Sequence, residues 1–173
     1  EMGVRTIFNI LGPLINPATA PNQVMGVFHP DLVGIQARVL KQLGSRHVMI
    51  VHGLDGLDEI TLSGPTMIAE LKNDHVEEYQ IEPAMFGIKS VPTQALRASD
   101  AAESKAILLA VLDNQPGPAR DIVALNAGAA IYVSGHSATL KDGISRAFEV
   151  LESGAAKQKL DQLAAISQSF KSN

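Results

Sequence analysis

The chain reads as α/β: a mostly parallel sheet with one antiparallel hairpin edge, covered by helices, and a helix-rich C-terminal third. Three stretches lead to that class. The run 48–51 (Val-Met-Ile-Val) is apolar at every position, too continuous for a strand with one wet face and typical of a strand covered on both sides. A strand pattern at 23–28, a helical pattern from Leu32 to Leu43 and the run at 48–51 form one strand–helix–strand unit, whose strands should be parallel. Two further strand patterns flank Lys72-Asn73-Asp74-His75, the signature of a hairpin turn.

Composition sets the limits. At 173 residues, 46% of them hydrophobic and 18% charged, the chain fits one domain with a sizeable core. Aromatic residues are 4% and Trp is missing, so that core is aliphatic. A net charge of −4 without a Lys/Arg cluster argues against nucleic acid or an anionic membrane as partner, since phosphate binding is driven largely by basic side chains. With no Cys, neither a disulfide framework nor a thiolate metal site can form. No signal peptide and no apolar run of ~18 residues is readable, which makes a cytoplasmic location the default.

Taken in order, Val4, Ile7, Phe8 and Leu11 fall at helical spacing and predict a short amphipathic helix ending at Gly12-Pro13. Pro13 and Pro17 then hold an extended or turned loop. After the first strand, Asp31 is placed to cap a helix with Leu32, Ile35, Val39 and Leu43 on one face, stopped by Gly44. The hairpin strands cover 67–71 and 76–81, and Glu77 and Glu78 discourage pairing at the exposed edge. The stretch 82–92 is irregular around a Phe86-Gly87 turn. Asp100 and Glu103 resemble a capping box before a helix carrying Ile107, Leu108, Val111 and Leu112. Pro116-Gly117-Pro118 ends it. The stretch 119–133 is almost wholly apolar or small, hence a buried helix in which Ala residues and Gly128 allow close packing. Asn126 within it reads as structural and must find a hydrogen-bond partner. Two last helices occupy about 140–153 and 155–170, the first with Ile144, Ala147 and Leu151 inward, and the tail 167–173 should fray.

The candidate chemistry lies just beyond the run at 48–51. His52-Gly53 ends the strand, Asp55-Gly56 turns the chain, and Asp58-Glu59 follows. Ligands of open α/β sheets bind beyond the carboxyl ends of strands. Adjacent carboxylates there can hold Mg²⁺, a hard cation that shares its shell with substrate phosphates. The alternative is a solvated turn whose acids cap the next segment. No nucleophilic triad is readable; His52 reads as a strand-end residue, and His29, His47, His75 and His136 carry no metal-ligand spacing. No general base is assigned.

Three motifs carry a family resemblance. The run 3–18, G-V-R-T-I-F-N-I-L-G-P-L-I-N-P-A, resembles the signature of anthranilate phosphoribosyltransferases. Val51-His52-Gly53 with Gly56-Leu57-Asp58-Glu59, and Leu125-Asn126-Ala127-Gly128-Ala129-Ala130, resemble the same family at matching separation. The resemblance implies that anthranilate nitrogen displaces diphosphate from 5-phosphoribosyl 1-diphosphate with Mg²⁺, a step of tryptophan biosynthesis. It assigns Asp58 and Glu59 to the metal and Gly12 and Pro13 to the anthranilate path. The family's G-T-G-G-D phosphate loop, its Lys-His-Gly-Asn-type segment and its helical dimerisation domain have no counterpart in this sequence. The resemblance therefore implies that 1–173 is the C-terminal α/β domain of a homodimeric enzyme and is inactive alone. The family's anthranilate-contacting arginine falls before Glu1, so Arg5 is read as structural, and Ile15 stands where the family usually has Thr. The alternatives are a pyrimidine nucleoside phosphorylase-like enzyme and a non-catalytic, nucleic-acid-binding relative.

Overall fold

The computed structural model describes residues 8–170. Val4, Arg5 and Ile7 of the opening motif, and the last three residues of the tail, lie outside that range.

Four strands form one sheet in the order β1-β2-β3-β4: β1 Asn22–Gly26, β2 His47–Gly53, β3 Thr66–Lys72 and β4 His75–Ile81. The β1–β2 pair is parallel, with Val24 opposite Met49, and the other two pairs are antiparallel. The expectation of a mostly parallel sheet is thus corrected to a mixed one. The reason lies in the link 54–65, which holds no helix and so returns the chain beside β2 without a crossover. A continuous apolar strand reports cover on both faces, not strand direction, and β2 is indeed buried from Val48 to Gly53.

The hairpin is as expected. Asn73 and Asp74 both adopt positive φ, 51° and 61°, the left-handed pair that matches strand twist in a two-residue turn. Arg38 on helix α2 (Leu32–Gln42) reaches Glu78 of β4 at 2.6 Å, and Lys41 reaches Asp74 at 3.2 Å.

One face of the sheet packs on α2, where Val33, Ala37 and Leu40 meet Val48, Ile50, Ala69 and Leu71. The predicted stripe is rotated away: Ile35 is 54% and Leu43 61% exposed. The buried stripe even includes Gln36, but Gly34 and Ala37 let the helix lie closer, with a Cβ at Gly34 falling 2.4 Å from Glu78 Oε1. Asp31 does not cap this helix through its side chain. The first turns are closed instead by Leu32 N–H donating to the His29 carbonyl and Val33 N–H to that of Pro30. Gly44, with φ +86°, stops it as expected.

The opening motif winds further than predicted. Helix α1 is Phe8–Leu11, and Gly12–Ile15 continues as a 3-10 turn, because Pro13 early in that turn has no N–H to leave unsatisfied.

The other face carries α4 (Pro118–Val133) and α5 (Leu140–Glu152), which press Leu125, Ala129, Val133 and Ile144 against Met49, Val51 and Ile68. A Cβ on Gly128 would lie 2.5 Å from Ile144 Cα, so the two helices touch backbone to backbone. At the start of β2 a polar cluster joins sheet and helix. Glu70 takes His47 Nε2 at 2.8 Å and the Tyr79 hydroxyl at 2.7 Å, while Lys72 donates to the Tyr132 hydroxyl at 2.9 Å. Burial first, and the hydrogen bond to Glu70 second, push the Tyr79 hydroxyl far above its ordinary pKa, so it stays a donor.

Helix α3 (Ala101–Leu112) has the expected box: Asp100 accepts the Glu103 N–H at 2.8 Å, and Glu103 reaches back to the Ser99 N–H at 2.7 Å. Its apolar face is not sealed, however. Leu108 is 51% exposed and Val123 on α4 is 41% exposed, so α4 is buried on the sheet side only. Between them and α6 (Ala155–Ser169) runs an apolar groove of about 870 Å³. Helix α6 stays helical through Ser169, where fraying was expected from Ser167 onward.

Gly128→Ala should lower unfolding free energy by ~1–3 kcal/mol, the usual cost of forcing extra atoms into a packed interface, seen as a lower urea midpoint. Gly64→Ala, where a Cβ meets nothing within 4 Å, should stay within ~0.5 kcal/mol.

Candidate active site

The site is built on the link 54–65 between β2 and β3, at the carboxyl end of β2. Backbone bonds fold the link on itself. Gly53 N–H donates to the Leu57 carbonyl at 2.8 Å, Gly56 N–H to that of Gly53 at 2.9 Å, and Leu54 N–H to that of Pro65 at 3.0 Å. Gly56, at φ +93°, takes the left-handed turn.

Two side chains fasten the link to the rest of the molecule. Asn126 on α4 grips Ile60 from both sides: Ile60 N–H donates to Asn126 Oδ1 at 2.9 Å, and Asn126 Nδ2 donates to the Ile60 carbonyl at 2.9 Å. Its structural reading holds, since every polar atom of the amide is used, the second Nδ2 hydrogen by the Ile122 carbonyl at 3.0 Å. The other fastener is Asp55. Its Oδ2 accepts the hydroxyls of Thr61 at 2.9 Å, Ser63 at 2.6 Å and Thr93, and its Oδ1 accepts the Leu57 N–H at 3.3 Å. Partial burial alone would raise this carboxyl, but the hydroxyls of Ser63, Thr93 and Thr61 and the Leu57 amide together bring it down to about 2.

Between those fasteners lie Asp58 and Glu59. Both are exposed, and among the described residues neither side chain has a hydrogen bond or ion pair. They do not cap a following helix, because the chain runs on into Ile60 and β3. Partial burial first, and the Asp58 charge second, raise the Glu59 carboxyl above its ordinary value, the mark of a negative charge lacking a counter-charge. No three His, Asp or Glu side chains gather as a metal cluster among the described residues. A cation here would therefore have two protein carboxylates and take the rest of its shell from water and an anionic ligand. That donor set fits Mg²⁺, which prefers oxygen and keeps several non-protein ligands.

The backbone of the acid pair is set by a glycine that the sequence did not mark. A Cβ on Gly26, the last residue of β1, would fall 1.5 Å from the Asp58 carbonyl oxygen. The link can cross the end of β1 only because that position is bare. Ile10 of the opening helix borders a cavity of about 20 Å³ that Gly26 also lines, so the opening segment and the acid link converge on the end of β1. Gly12 lies two residues further on; it is exposed, and a Cβ there would meet nothing within 4 Å. Glu59, for its part, sits on the rim of the α3/α4/α6 groove with Leu57, Thr93 and Arg97.

His52 is buried, its Nδ1 2.7 Å from the Val27 carbonyl; it ties the ends of β1 and β2 together, as a strand-end residue should. Sequence reasoning missed Asp55, taken only as a turn residue, together with Thr61, Ser63, Thr93 and Gly26. The only hint was the hydroxyl-bearing pair Thr61 and Ser63 soon after the acids.

A model described as the glycosyl transferase family, a/b domain, matches residues 1–157. Among curated proteins the chain is similar to the anthranilate phosphoribosyltransferase of Laribacter hongkongensis, 68% identical over 166 residues, covering 96% of this chain and 48% of that one. The Chromobacterium violaceum protein of the same name is 67% identical over 167 residues, covering 96% and 49%. Among solved structures, the Thermus thermophilus anthranilate phosphoribosyltransferase superposes with a TM-score of 0.86 at 40% identity, covering 94% of this chain and 48% of that chain. The Saccharomyces cerevisiae enzyme, solved in complex with PRPP and Mg, gives 0.81 at 29% identity, covering 92% and 46%. The chain spans about half the length of the curated relatives it matches.

Gly26→Ala should displace the acid link, because the clash is with backbone. Loss of amide protection at 57–60 by hydrogen exchange, with the α2 and β3 amides unchanged, would register it. The Asp55 carboxyl, at about 2 in the fold against an ordinary 3.8, contributes stability that is full above about pH 4 and lost as pH falls toward about 2. Asp55→Asn should therefore flatten the acid limb of the stability curve across that window in urea titrations.

Proposed function

The chain belongs to the glycosyl transferase family, matching its a/b domain, and on that premise we propose that it is the C-terminal α/β portion of an anthranilate phosphoribosyltransferase. The amine nitrogen of anthranilate attacks C1 of 5-phosphoribosyl 1-diphosphate; the C1–O bond breaks, diphosphate leaves, and the nitrogen sheds a proton. The observation that supports the chemistry is the consecutive pair Asp58 and Glu59, exposed beyond the end of β2 and without a side-chain partner among the described residues. High identity to relatives of that name supports the choice of substrates.

In this reading Asp58 and Glu59 hold Mg²⁺. When bound, the ion offsets charge on the leaving diphosphate and orients it. The chain's own part is to present two carboxylates whose mutual repulsion is relieved by a cation, on a link that Asn126 and Asp55 hold still. Gly12, open to solvent, and Pro13 line the anthranilate path: a residue without Cβ admits a flat ring against backbone. The remaining half, matching the rest of the relatives' length, supplies the phosphate loop and the helical domain through which the enzyme dimerises. The setting is tryptophan biosynthesis in the cytoplasm.

In the complete protein, Asp58→Asn with Glu59→Gln should raise the Mg²⁺ concentration for half-maximal turnover by about tenfold or more, as is usual when metal-holding groups are altered, while circular dichroism stays unchanged. A double variant with the original Mg²⁺ requirement would return the acids to ordinary turn residues. The 173-residue chain by itself should release no diphosphate from 5-phosphoribosyl 1-diphosphate, with or without anthranilate, in a coupled diphosphate assay.

A further inference from the structure

The link 54–65 carries three acidic residues, Asp55, Asp58 and Glu59, and the fold separates them sharply. The last two have no partner among the described residues. Asp55 accepts four donors, three of them hydroxyls converging on the single oxygen Oδ2. A carboxylate oxygen offers two lone-pair directions, so Oδ2 is saturated and cannot serve a cation. A turn would need only the local bond from Leu57 N–H, the weakest of the set at 3.3 Å. The hydroxyls come from further along the link and from a separate segment: Thr93 opens the 3-10 turn Thr93–Leu96. They are themselves tied in, since Ser63 N–H donates to Thr61 Oγ1 at 3.0 Å, and Val91 N–H to the Leu62 carbonyl at 3.1 Å.

We propose that Asp55 is a positioning residue for the cation site: a carboxylate whose Oδ2 clamps the link through Thr61, Ser63 and Thr93 and so holds Asp58 and Glu59 in place. This rests on the reading of those two acids as the Mg²⁺ holders. The physical need is clear. Two adjacent like charges repel, and a free link would relieve that by splaying them. The clamp prevents it from the N-terminal side, as Asn126 does from the C-terminal side at Ile60. Gly53 makes room for the clamp, because a Cβ there would fall 2.6 Å from Asp55 Oδ1 and 3.0 Å from Thr61 Cβ. Thr93 also extends the clamp to the wall of the groove that Glu59 borders, so the spacing of that acid from the groove is set by the same carboxylate.

The test is calorimetric titration of the complete protein with Mg²⁺ in the presence of inorganic diphosphate, at a temperature well below every variant's melting point. Asp55→Ala should weaken Mg²⁺ binding about tenfold or more, the usual effect of removing a group that orients metal ligands. Asp55→Asn, which keeps one acceptor oxygen, should recover part of the loss. Thr93→Val should shift affinity in the same direction by a smaller factor. A merely structural role would lower the melting temperature and leave the affinity unchanged, which would overturn the proposal. Should Asp55→Ala fail to fold, Thr93→Val and Ser63→Ala decide, and unchanged affinity in both overturns it. The Asp58→Asn/Glu59→Gln double variant separates the two levels. Undiminished binding there would sink the metal reading and the positioning role with it. Binding lost there but kept in Asp55→Ala would sink the positioning role alone.

Discussion

The arrangement hinges on one side-chain amide. Asn126 meets both backbone groups of Ile60, doing for an irregular segment what a neighbouring strand does for a regular one. Buried backbone groups must be paired, and the stretch after the acid pair has no strand partner to use. With Ile60 satisfied, it can sit deep in the core beside Met49 and Leu125 and pull the link tight across the sheet end. Helix α4 can reach that point because Gly128 lets α5 close behind it.

From this follows the division of labour around the link. Groups that fasten are buried or saturated: Asn126, the hydroxyls on Asp55, and the His52 ring against the Val27 carbonyl. Asp58 and Glu59, by contrast, are exposed and have no side-chain partner among the described residues. Partial burial first, and the neighbouring Asp58 charge second, raise the Glu59 carboxyl. Carboxyls perturbed in this way cluster at functional sites.

Much of the architecture was legible because it follows local rules. The apolar run of β2, the Asn73-Asp74 turn, the Asp100/Glu103 box and the Gly44 stop each depend on a few neighbouring residues, and each appears where the pattern puts it. What was not legible depended on distance. The direction of β3 is decided by the absence of a crossover helix, which an apolar run cannot report. The buried face of α2, which includes Gln36, was chosen by the closeness that Gly34 and Ala37 allow, against a more apolar stripe. The position of the two candidate acids, exposed just beyond a buried strand, could be read from the sequence. Gly26 and Thr93, which govern the link from outside it, are 32 and 35 positions from Asp58, and no periodicity joins them to it.

Both faces of the sheet are secured by apolar packing, but the hairpin end of the α2 face leans on surface ion pairs as well, and this sets how the molecule answers to its solvent. On the α2 side, the reach to the hairpin is made by Arg38–Glu78 and Lys41–Asp74, pairs whose side chains are all more than a third exposed; such pairs are worth little each, and at ~1 M salt the screening length shrinks to ~3 Å. The α4–α5 side is joined by apolar interlocking, which sulfate and similar salts reinforce. Strong brine would therefore loosen the hairpin tip while tightening the ground beneath the acid link, leaving the acid-bearing end of the sheet the more halotolerant of the two.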